Sequence, residues 1–384
     1  MKILFTSRKP SDQNKFYVDM LSGLNHLDNI QFQAYAEDYE NFDVILIMYW
    51  DCHYLIDEIR TRNKKCKIGV VDPRIMDEHT TKGDFVIVQG LEEEDMASDY
   101  YPDVFRYDFH PVNPCMMKQH YDKNKIIVGT HGNKIHLHTM YPYLSSAIEA
   151  LARDFDVEFR AYYNIKEYGN VDFDLFPAGN VEFKEVQWSW DIFQKGLPDV
   201  DIGVVPNLIP IKNIKLAKKS IQSYPALFNE DDSNNLVRYK ATSNIGRLYP
   251  FAQLGIPVVA DMYPSSCNTI ESGVTGYFGG SAGLWYRSLH KLASSAELRQ
   301  RIGRNMQKKY LLTASQEVFN KGLVDFLQEV CSHQKRRMPE NFPEVNKLLS
   351  DSTILKANKQ KLKVKTIMDR LSVVKGKFLS GSQR

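Results

Sequence analysis

A group of basic and small polar residues lies directly before an apolar segment in the range 238–260. Arg238, Lys240 and Arg247 bring positive charge to it, and Ser243 has a side chain that commonly caps a helix. The first turn of a helix leaves backbone N–H groups without partners, and such N–H groups bind phosphate. The pattern therefore predicts an anion site, although an ordinary strand and helix with solvated basic residues would look similar.

The residues that follow predict the elements that position this site. A helix is expected near 245–254, and Gly255 is a residue type that ends helices. The apolar run at 257–260 then reads as a buried parallel strand.

Length and composition limit the class of protein. The 384 residues exceed the usual size of one hydrophobic core, so two domains of about 150–200 residues each are expected. A formal net charge of +2 gives no reason to expect nucleic-acid binding. The five cysteines have no CxxC spacing, and the sequence contains no run of about 18 apolar residues. No signal peptide is expected, because the apolar run at 1–6 is too short for one. A reducing cytoplasm fits these features.

Short apolar runs alternate with amphipathic segments in the first third of the chain, which predicts a parallel sheet. Ligands of such sheets bind beyond the carboxyl ends of the strands. The candidate strands are 2–6, 44–48, 68–71 and 85–89, and the loops that follow them are 7–13, 49–53, 72–77 and 89–95.

A second α/β half begins at 125, after a linker candidate at 108–125 that contains two prolines. We therefore expect an N-terminal domain over 1–118, a C-terminal domain over 119–335 and a basic helical segment over 336–384. The further strands expected are 157–161, 181–183 and 202–205, with a helix near 190–196. Residues 208–236 have the composition of an inserted loop, either solvated or folded over a ligand.

An ordered series of segments in the second half resembles a known family. It runs through His131-Gly-Asn, Val181-Glu-Phe, 199–206, 240–260, 270–276 and Leu284-Trp. The series is similar to the C-terminal half of GT-B glycosyltransferases, and most similar to family 4 of their classification, the retaining group. This resemblance implies two Rossmann-like domains facing each other across a cleft, with the acceptor on the first domain and a nucleotide-sugar on the second.

The resemblance also implies roles for individual residues. Gly132, Asn133 and Lys134 correspond to the loop that approaches the donor phosphates, where His131 would either touch the nucleotide or serve the structure. Pro206 and Asn207 correspond to contacts with the base or ribose. The diphosphate would be met by Thr242, Ser243, Asn244 and Arg247.

In retaining transfer the leaving diphosphate gains charge, so electrostatic stabilisation carries much of the chemistry. Arg238 and Lys240 are the residues expected to provide it. The first domain is expected to place a side chain near the sugar, for which Asp72, Arg74 and His53 are the candidates, each of which could instead be a turn or surface residue.

One departure from the family pattern keeps an alternative open. Most members have two glutamates around this helix, at positions that correspond approximately to Thr242 and Pro250 here. A non-catalytic protein of the same shape that binds a nucleotide or sugar is therefore the alternative. An epimerase or a phosphorylase fits less well, because their catalytic acids or cofactor lysine are not apparent.

No cofactor or metal is expected. Asp199 and Asp201 form the DxD-like pair that lies at a strand end, but they precede the strand instead of following it, and His136 and His138 have no evident third ligand.

The expected partners are a nucleotide-sugar and a glycan or lipid-linked acceptor. Residues 355–384 are rich in Lys and Arg interleaved with apolar residues, which is typical of a segment that docks on anionic membrane. We expect a cytoplasmic protein that is peripheral on the inner face of the membrane, with packing of this segment on the first domain as the alternative.

Overall fold

The structure is a computed structural model. It describes residues 1–8, 14–74, 76–138, 140, 143–170, 179–210, 237–239 and 245–332, with the backbone alone at 135, 138, 208–210 and 237–239.

The first sheet has six parallel strands in the order β2-β1-β3-β4-β5-β6. They are β1 (Lys2–Thr6), β2 (Gln31–Ala34), β3 (Val44–Met48), β4 (Lys67–Val71), β5 (Phe85–Val88) and β6 (Val104–Arg106).

The second sheet also has six parallel strands, in the order β14-β13-β10-β7-β8-β9. They are β7 (Lys125–His131), β8 (Asp156–Tyr163), β9 (Val181–Gln187), β10 (Ile202–Val205), β13 (Val258–Asp261) and β14 (Tyr277–Gly279). An antiparallel pair, β11 (Leu208–Pro210) and β12 (Val237–Tyr239), lies between β10 and β13 in the chain.

Helices lie between these strands in the chain and after the last of them. They are α1 (Lys15–Ser22), α2 (Cys52–Arg62), α3 (Leu91–Ser98), α4 (Ile135–His138), α5 (Tyr143–Leu151), α6 (Ile165–Tyr168), α7 (Trp190–Gly196), α8 (Tyr249–Gln253), α9 (Pro264–Thr269), α10 (Ala282–Ala293), α11 (Ala296–Thr313) and α12 (Gln316–Ser332).

Both faces of the first sheet are covered, which explains why its central strands are apolar without alternation. Leu4 packs on one face with Ile56 of α2. Phe5, the next residue along β1, packs on the other face with Met20 of α1 and Leu323 of α12. Successive strand residues point to opposite faces, so each needs its own helical layer.

The second sheet is built in the same way. On one face, Val204 and Val259 pack with Ile148 of α5 and Leu289 of α10. On the other face, residues such as Val258 belong to the same hydrophobic cluster as the α1 and α12 side of the first sheet. The two sheets therefore share one continuous apolar layer.

The strands predicted from sequence are confirmed, with 2–6, 44–48 and 202–205 matching the observed bounds. Five strands were not predicted: the antiparallel pair β11 and β12, and β2, β6 and β14, which lie at the edges of the two six-stranded sheets. Edge strands are short and partly solvated, so they lack the continuous apolar run that marks a central strand.

The helix predicted over 245–254 is wrong in one respect, since the segment is broken. A 3₁₀ turn at Ile245–Arg247 is followed by the short helix α8. Pro250 has no N–H to continue a helix from the preceding turn, and it is tolerated because it lies in the first turn of α8. Gly255 ends the helix as predicted, with a φ of +63°.

The connection between the sheets, 107–124, contains neither helix nor strand, but it is firmly attached. The Lys118 ammonium donates to the backbone carbonyls of Pro198, Asp199 and Val200 at 2.7–2.9 Å. At the other end of the described chain, α12 returns to the first sheet, where Asn320 accepts a hydrogen bond from the Tyr107 hydroxyl at 2.9 Å. The segment 119–335 thus ends in a helix that lies on the first domain.

The greater part of the insertion, 211–236, and the whole of 336–384 lie outside the described residues. Within the described residues, no helix is long and apolar enough to cross a membrane.

We predict that Gly303→Ala destabilises the second domain. A Cβ at Gly303 in α11 would lie 1.8 Å from the carbonyl oxygen of Gly255, so the helix would have to move away from the turn after α8. Overpacking of this kind costs about 1–3 kcal/mol, which urea denaturation measures. Gly322→Ala in α12 is the matched control, because its Cβ would meet Phe105 at an ordinary 3.4 Å. Equal stability of the two variants would contradict this packing.

Candidate functional site

Three neighbouring strands of the second sheet end around one arginine. β7 ends at His131, β10 is followed by Pro206 and Asn207, and β13 ends at Asp261. Their carboxyl ends meet at one edge of the parallel sheet, where α/β proteins bind ligands. Arg247, in the 3₁₀ turn before α8, lies at this edge.

The Arg247 guanidinium connects these strand ends. Its Nη2 donates to the Pro206 carbonyl at 2.9 Å and to the Asn207 side-chain oxygen at 3.2 Å. Asn207 in turn donates its backbone N–H to the Asp261 carboxylate at 2.6 Å. The Nη1 nitrogen is buried and has no hydrogen-bond partner in the described part of the chain. A buried guanidinium with a free N–H group favours an oxygen anion as its partner.

Arg247 keeps its positive charge although its surroundings lower its pKa. Burial lowers the pKa of Arg247, and the nearby Tyr263 and Asp261 act in the opposite direction. Arginine nevertheless stays protonated in proteins. Tyr263 and Asp261 were not predicted from sequence, because a strand end and a turn carry no motif that marks them.

His131 serves the structure of this site and has little access to a nucleotide. Its side chain is only 7% exposed, and its Nε2 donates to the Arg247 carbonyl at 2.8 Å. Burial, followed by the charge of Arg247, lowers the pKa of His131 to about 3. The imidazole is therefore neutral at physiological pH and holds the turn that carries Arg247.

Gly132 allows the arginine to come close to the backbone. Its φ is +123°, a backbone conformation that favours glycine. A Cβ added at this position would lie 2.8 Å from Arg247 Cδ, so there is no room for a side chain. The Gly132 N–H donates to the Tyr162 carbonyl at 3.0 Å, so this N–H is already paired.

The next loop residues face another part of the second domain. Lys134 donates to the carbonyls of Tyr168 and Asn170 at 2.7 and 2.6 Å, and the exposed Asn133 hydrogen-bonds with the Tyr168 side chain. The structure thus gathers His131, Gly132, Pro206, Asn207 and Arg247 at one centre, with Asn133 and Lys134 on its border.

For the remaining second-domain candidates the structure describes no side chain. Lys240, Thr242, Ser243 and Asn244 lie outside the described residues, and of Arg238 only the backbone, in β12, is described. Their assignment, including the Ser243 cap, stays a prediction.

Among the first-domain candidates, Asp72 is buried and already hydrogen-bonded. Its side chain is 2% exposed, and its Oδ2 accepts from the Tyr17 hydroxyl and from Arg74 Nε, both at 2.9 Å. Its assignment to the sugar stays a prediction. His53 is exposed and contacts Tyr54, with ring centroids 3.7 Å apart and the rings tilted by 45°.

The DxD-like pair is used in ion pairs. Asp201 is buried and pairs with Lys123 at 2.8 Å and Lys118 at 3.2 Å, while the exposed Asp199 lies 3.4 Å from Arg160. Over the described ranges, no cluster of three or more His, Cys, Asp or Glu residues could hold a metal ion.

The two domains meet through polar contacts that the sequence did not indicate. Glu92, Glu93 and Glu94 lie in the first turn of α3, and the Glu92 carboxylate is 6% exposed and accepts from the backbone N–H of Ser265 at 2.9 Å. The Ser265 hydroxyl donates to the same carboxylate and accepts from the Leu91 N–H. Since these partners are more than 170 residues apart, no local pattern could have shown the contact.

A second contact between the halves involves Asp108. Its Oδ2 accepts from the Tyr249 hydroxyl of α8 at 3.0 Å, and its Oδ1 lies 3.8 Å from Arg106. Burial raises the pKa of Asp108 to about 7, against the opposing effects of Arg106 and the Tyr249 hydroxyl.

Comparison with known proteins supports the fold. No protein-family model matches the chain, and no curated protein matches its sequence. Among solved structures, sucrose-phosphate synthase from Thermosynechococcus elongatus gives a TM-score of 0.53 at 11% identity, over 86% of this chain and 99% of the other. HepE of Anabaena, in complex with UDP-glucose, gives 0.53 at 12% identity, over 86% and 100%. The lipopolysaccharide outer core galactosyltransferase WaaB gives 0.50 at 11% identity, over 86% and 99%.

The chain also matches TarM at a TM-score of 0.48, and there it spans 54% of the other protein's length. Identities of 11–12% establish the architecture alone. The class defined by the two six-stranded parallel sheets and by these neighbours is the GT-B fold, with two Rossmann-like domains, as the sequence predicted.

The pKa of Asp108 leads to a prediction about pH. The unfolded carboxyl loses its proton near about pH 4, so between pH 4 and 7 the folded state binds the additional proton. Stability from this group therefore falls as pH rises through that window. Asp108→Asn retains an acceptor for Tyr249 but cannot ionise, so its melting temperature relative to wild type should increase from pH 5 to pH 8. A difference that is independent of pH would contradict the assignment.

Proposed function

We propose that the protein is a glycosyltransferase that transfers a sugar, of the hexose type, from a UDP- or GDP-linked donor to a glycan or lipid-linked acceptor. The transfer proceeds with retention and without a metal ion. The nucleotide-sugar is a substrate, and no cofactor takes part.

The observation that carries this proposal is the Arg247 centre. A buried guanidinium with an unpartnered Nη1, at the meeting point of three strand ends, is suited to a phosphate oxygen. Its Nη2 is already fixed by Pro206 and Asn207, so the ligand would meet a group that needs no reorientation. The GT-B architecture is consistent with a donor diphosphate at this edge of the second domain.

The chemistry of this centre is electrostatic. As the bond between the sugar and the diphosphate breaks, negative charge grows on the leaving phosphate, and a fixed cation stabilises that charge more than it stabilises the ground state. Arg247 supplies this effect in the described part of the site, and Arg238 and Lys240 would add to it. His131, neutral and bonded to the Arg247 carbonyl, keeps the turn in place.

Metal-free transfer agrees with the engagement of the acidic pair. The Asp201 carboxylate is bound by two lysines and by the backbone N–H of Ile127 at 2.9 Å, so it is committed to the fold. Neutralisation of the diphosphate would then rest on arginine and lysine side chains.

The acceptor class is inferred from the neighbours and from the basic C-terminal segment. WaaB is by name a lipopolysaccharide outer core galactosyltransferase, and HepE was solved with UDP-glucose. A surface glycan or its lipid-linked precursor is the acceptor class we infer, with 355–384 docking the protein on the inner, anionic face of a membrane.

A non-catalytic binding protein is the second candidate, and Pro250 is the observation that favours it. This proline is buried in the first turn of α8, at the position that corresponds approximately to a family glutamate. Both candidates bind a nucleotide, but only the transferase releases nucleotide from a nucleotide-sugar when acceptor is present.

We predict that UDP or GDP raises the melting temperature of the wild-type protein and that Arg247→Gln removes most of this shift. A ligand at 100 times its dissociation constant stabilises by about 2.7 kcal/mol, and a lost charge-assisted hydrogen bond costs about 1.5–3 kcal/mol. Arg287→Gln, at an exposed position of α10 in the same domain, is the matched control and should retain the shift.

Two results would count against the proposal. If no nucleoside diphosphate stabilises the wild-type protein, the proposed donor site does not exist. A full shift in Arg247→Gln, with an unchanged circular dichroism spectrum, would place the diphosphate away from this arginine.

A further inference from the structure

A chain of hydrogen bonds in the first domain ends on one partly exposed arginine. Gln89, after β5, donates to the Tyr17 hydroxyl at 2.8 Å, and Tyr17 donates to Asp72 at 2.9 Å. The same Asp72 oxygen accepts from Arg74, at 2.9 Å from Nε and 2.8 Å from Nη2. Elements after β4 and β5 and helix α1 thus combine to orient a single guanidinium.

The network is rigid because its members are enclosed. Tyr17 is 2% exposed and packs against Phe16 and Phe109, with ring centroids 4.1 and 4.7 Å away. Asp72 has a φ of +54°, a backbone conformation that residues other than glycine rarely adopt. Strained backbone of this kind persists where surrounding structure enforces it and occurs frequently at ligand sites.

Arg74 is the end of the network that remains available. Its side chain is 43% exposed, whereas that of Asp72 is 2% exposed. Its ion pair uses Nε and Nη2, and the structure shows no hydrogen bond from Nη1 to another described residue. An arginine presents five N–H donors, so this one retains capacity for a ligand.

Arg74 follows β4 at the carboxyl edge of the first sheet. The neighbouring strand β5 leads to Leu91 and Glu92, which hydrogen-bond with Ser265 beyond β13 of the second domain. Tyr168 of the second domain is within electrostatic reach of Arg74, and its carbonyl accepts from Lys134.

A carboxylate of the second domain is close by but is otherwise engaged. Glu167 accepts from Asn164 Nδ2 at 2.8 Å and interacts with the Tyr168 hydroxyl. It forms no ion pair with Arg74 within 4.0 Å in the described part of the chain. An anionic ligand would thus bind Arg74 without displacing Glu167. Asp72 would keep its ion pair with Nε and Nη2 of the guanidinium.

We propose that Arg74 binds the β-phosphate of the nucleoside diphosphate from the first-domain side, and that Asp72 and Tyr17 position it for this contact. This inference rests on the proposed function, and it adds a first-domain cation to the donor site of the second domain. Arg247 and Arg74 then contact the diphosphate from opposite sides of the cleft. Binding of the donor draws the two domains together through the phosphate charge.

The test compares ligands that differ by one phosphate. Wild type and Arg74→Gln are titrated by calorimetry with UDP, UMP, GDP and GMP. The variant should lose about tenfold or more in affinity for the diphosphate, while its affinity for the monophosphate changes little. Arg62→Gln, at a surface arginine of the same domain that pairs with Glu40, should bind all four as wild type does.

Variants of the supporting residues test the positioning role. Asp72→Asn retains an acceptor for Tyr17 and suits a positive φ, but it removes the charge that fixes Arg74. It should show a smaller loss than Arg74→Gln with the same preference for the diphosphate. Arg74→Lys should recover part of the affinity, because it restores charge without the planar fork.

The outcomes separate this inference from the proposed function. If wild type binds no nucleoside diphosphate, both are overturned. If wild type binds one and Arg74→Gln binds it equally well, only the inference about Arg74 is overturned. An equal loss for monophosphate and diphosphate would mean that Arg74 serves domain packing, and it would also overturn the inference.

Discussion

The buried guanidinium of Arg247 is the constraint on which the carboxyl edge of the second sheet depends. Placing this charge among strand ends requires oxygen acceptors, which Pro206 and Asn207 provide. It also requires a glycine at 132, since a side chain there would overlap the arginine stem. His131 completes the arrangement by binding the carbonyl of the arginine itself. Arg247 Nη1, which has no hydrogen-bond partner among the described residues, is the part of this arrangement that a ligand would complete.

The relation between the domains depends on contacts of a different kind. Glu92 and Ser265 form a buried polar contact, and Lys15 of α1 lies 5.4 Å from the ring centre of Trp190 in the second domain. The α12 helix returns to the first sheet after the second is complete. The two domains are thus held together at several separate places, and the polar contacts can rearrange more readily than the shared apolar layer.

The sequence predicted the architecture well because central parallel strands are buried on both faces. An uninterrupted apolar run such as Val44–Met48 carries its own signal, whereas the edge strand Gln31–Ala34 carries none. The break before α8 could have been predicted, since Pro250 cannot donate to the turn before it.

The residues of the candidate site could be named from sequence only where a strand end marks them. Strand ends are visible in a sequence, and the structure brings His131, Gly132, Pro206 and Asn207 together around Arg247. The roles of Asp72 and Glu92 were not found, because each depends on a partner supplied by another element, Tyr17 in one case and Ser265 in the other. A local pattern shows that a carboxylate follows a strand, but it does not show what that carboxylate binds.

The most direct measurement is a crystal structure of the protein with UDP or GDP. The account predicts a phosphate oxygen within about 3.2 Å of Arg247 Nη1, with the hydrogen bonds of Nη2 to Pro206 and Asn207 unchanged. A diphosphate bound elsewhere, with Nη1 still lacking a phosphate contact, would contradict it.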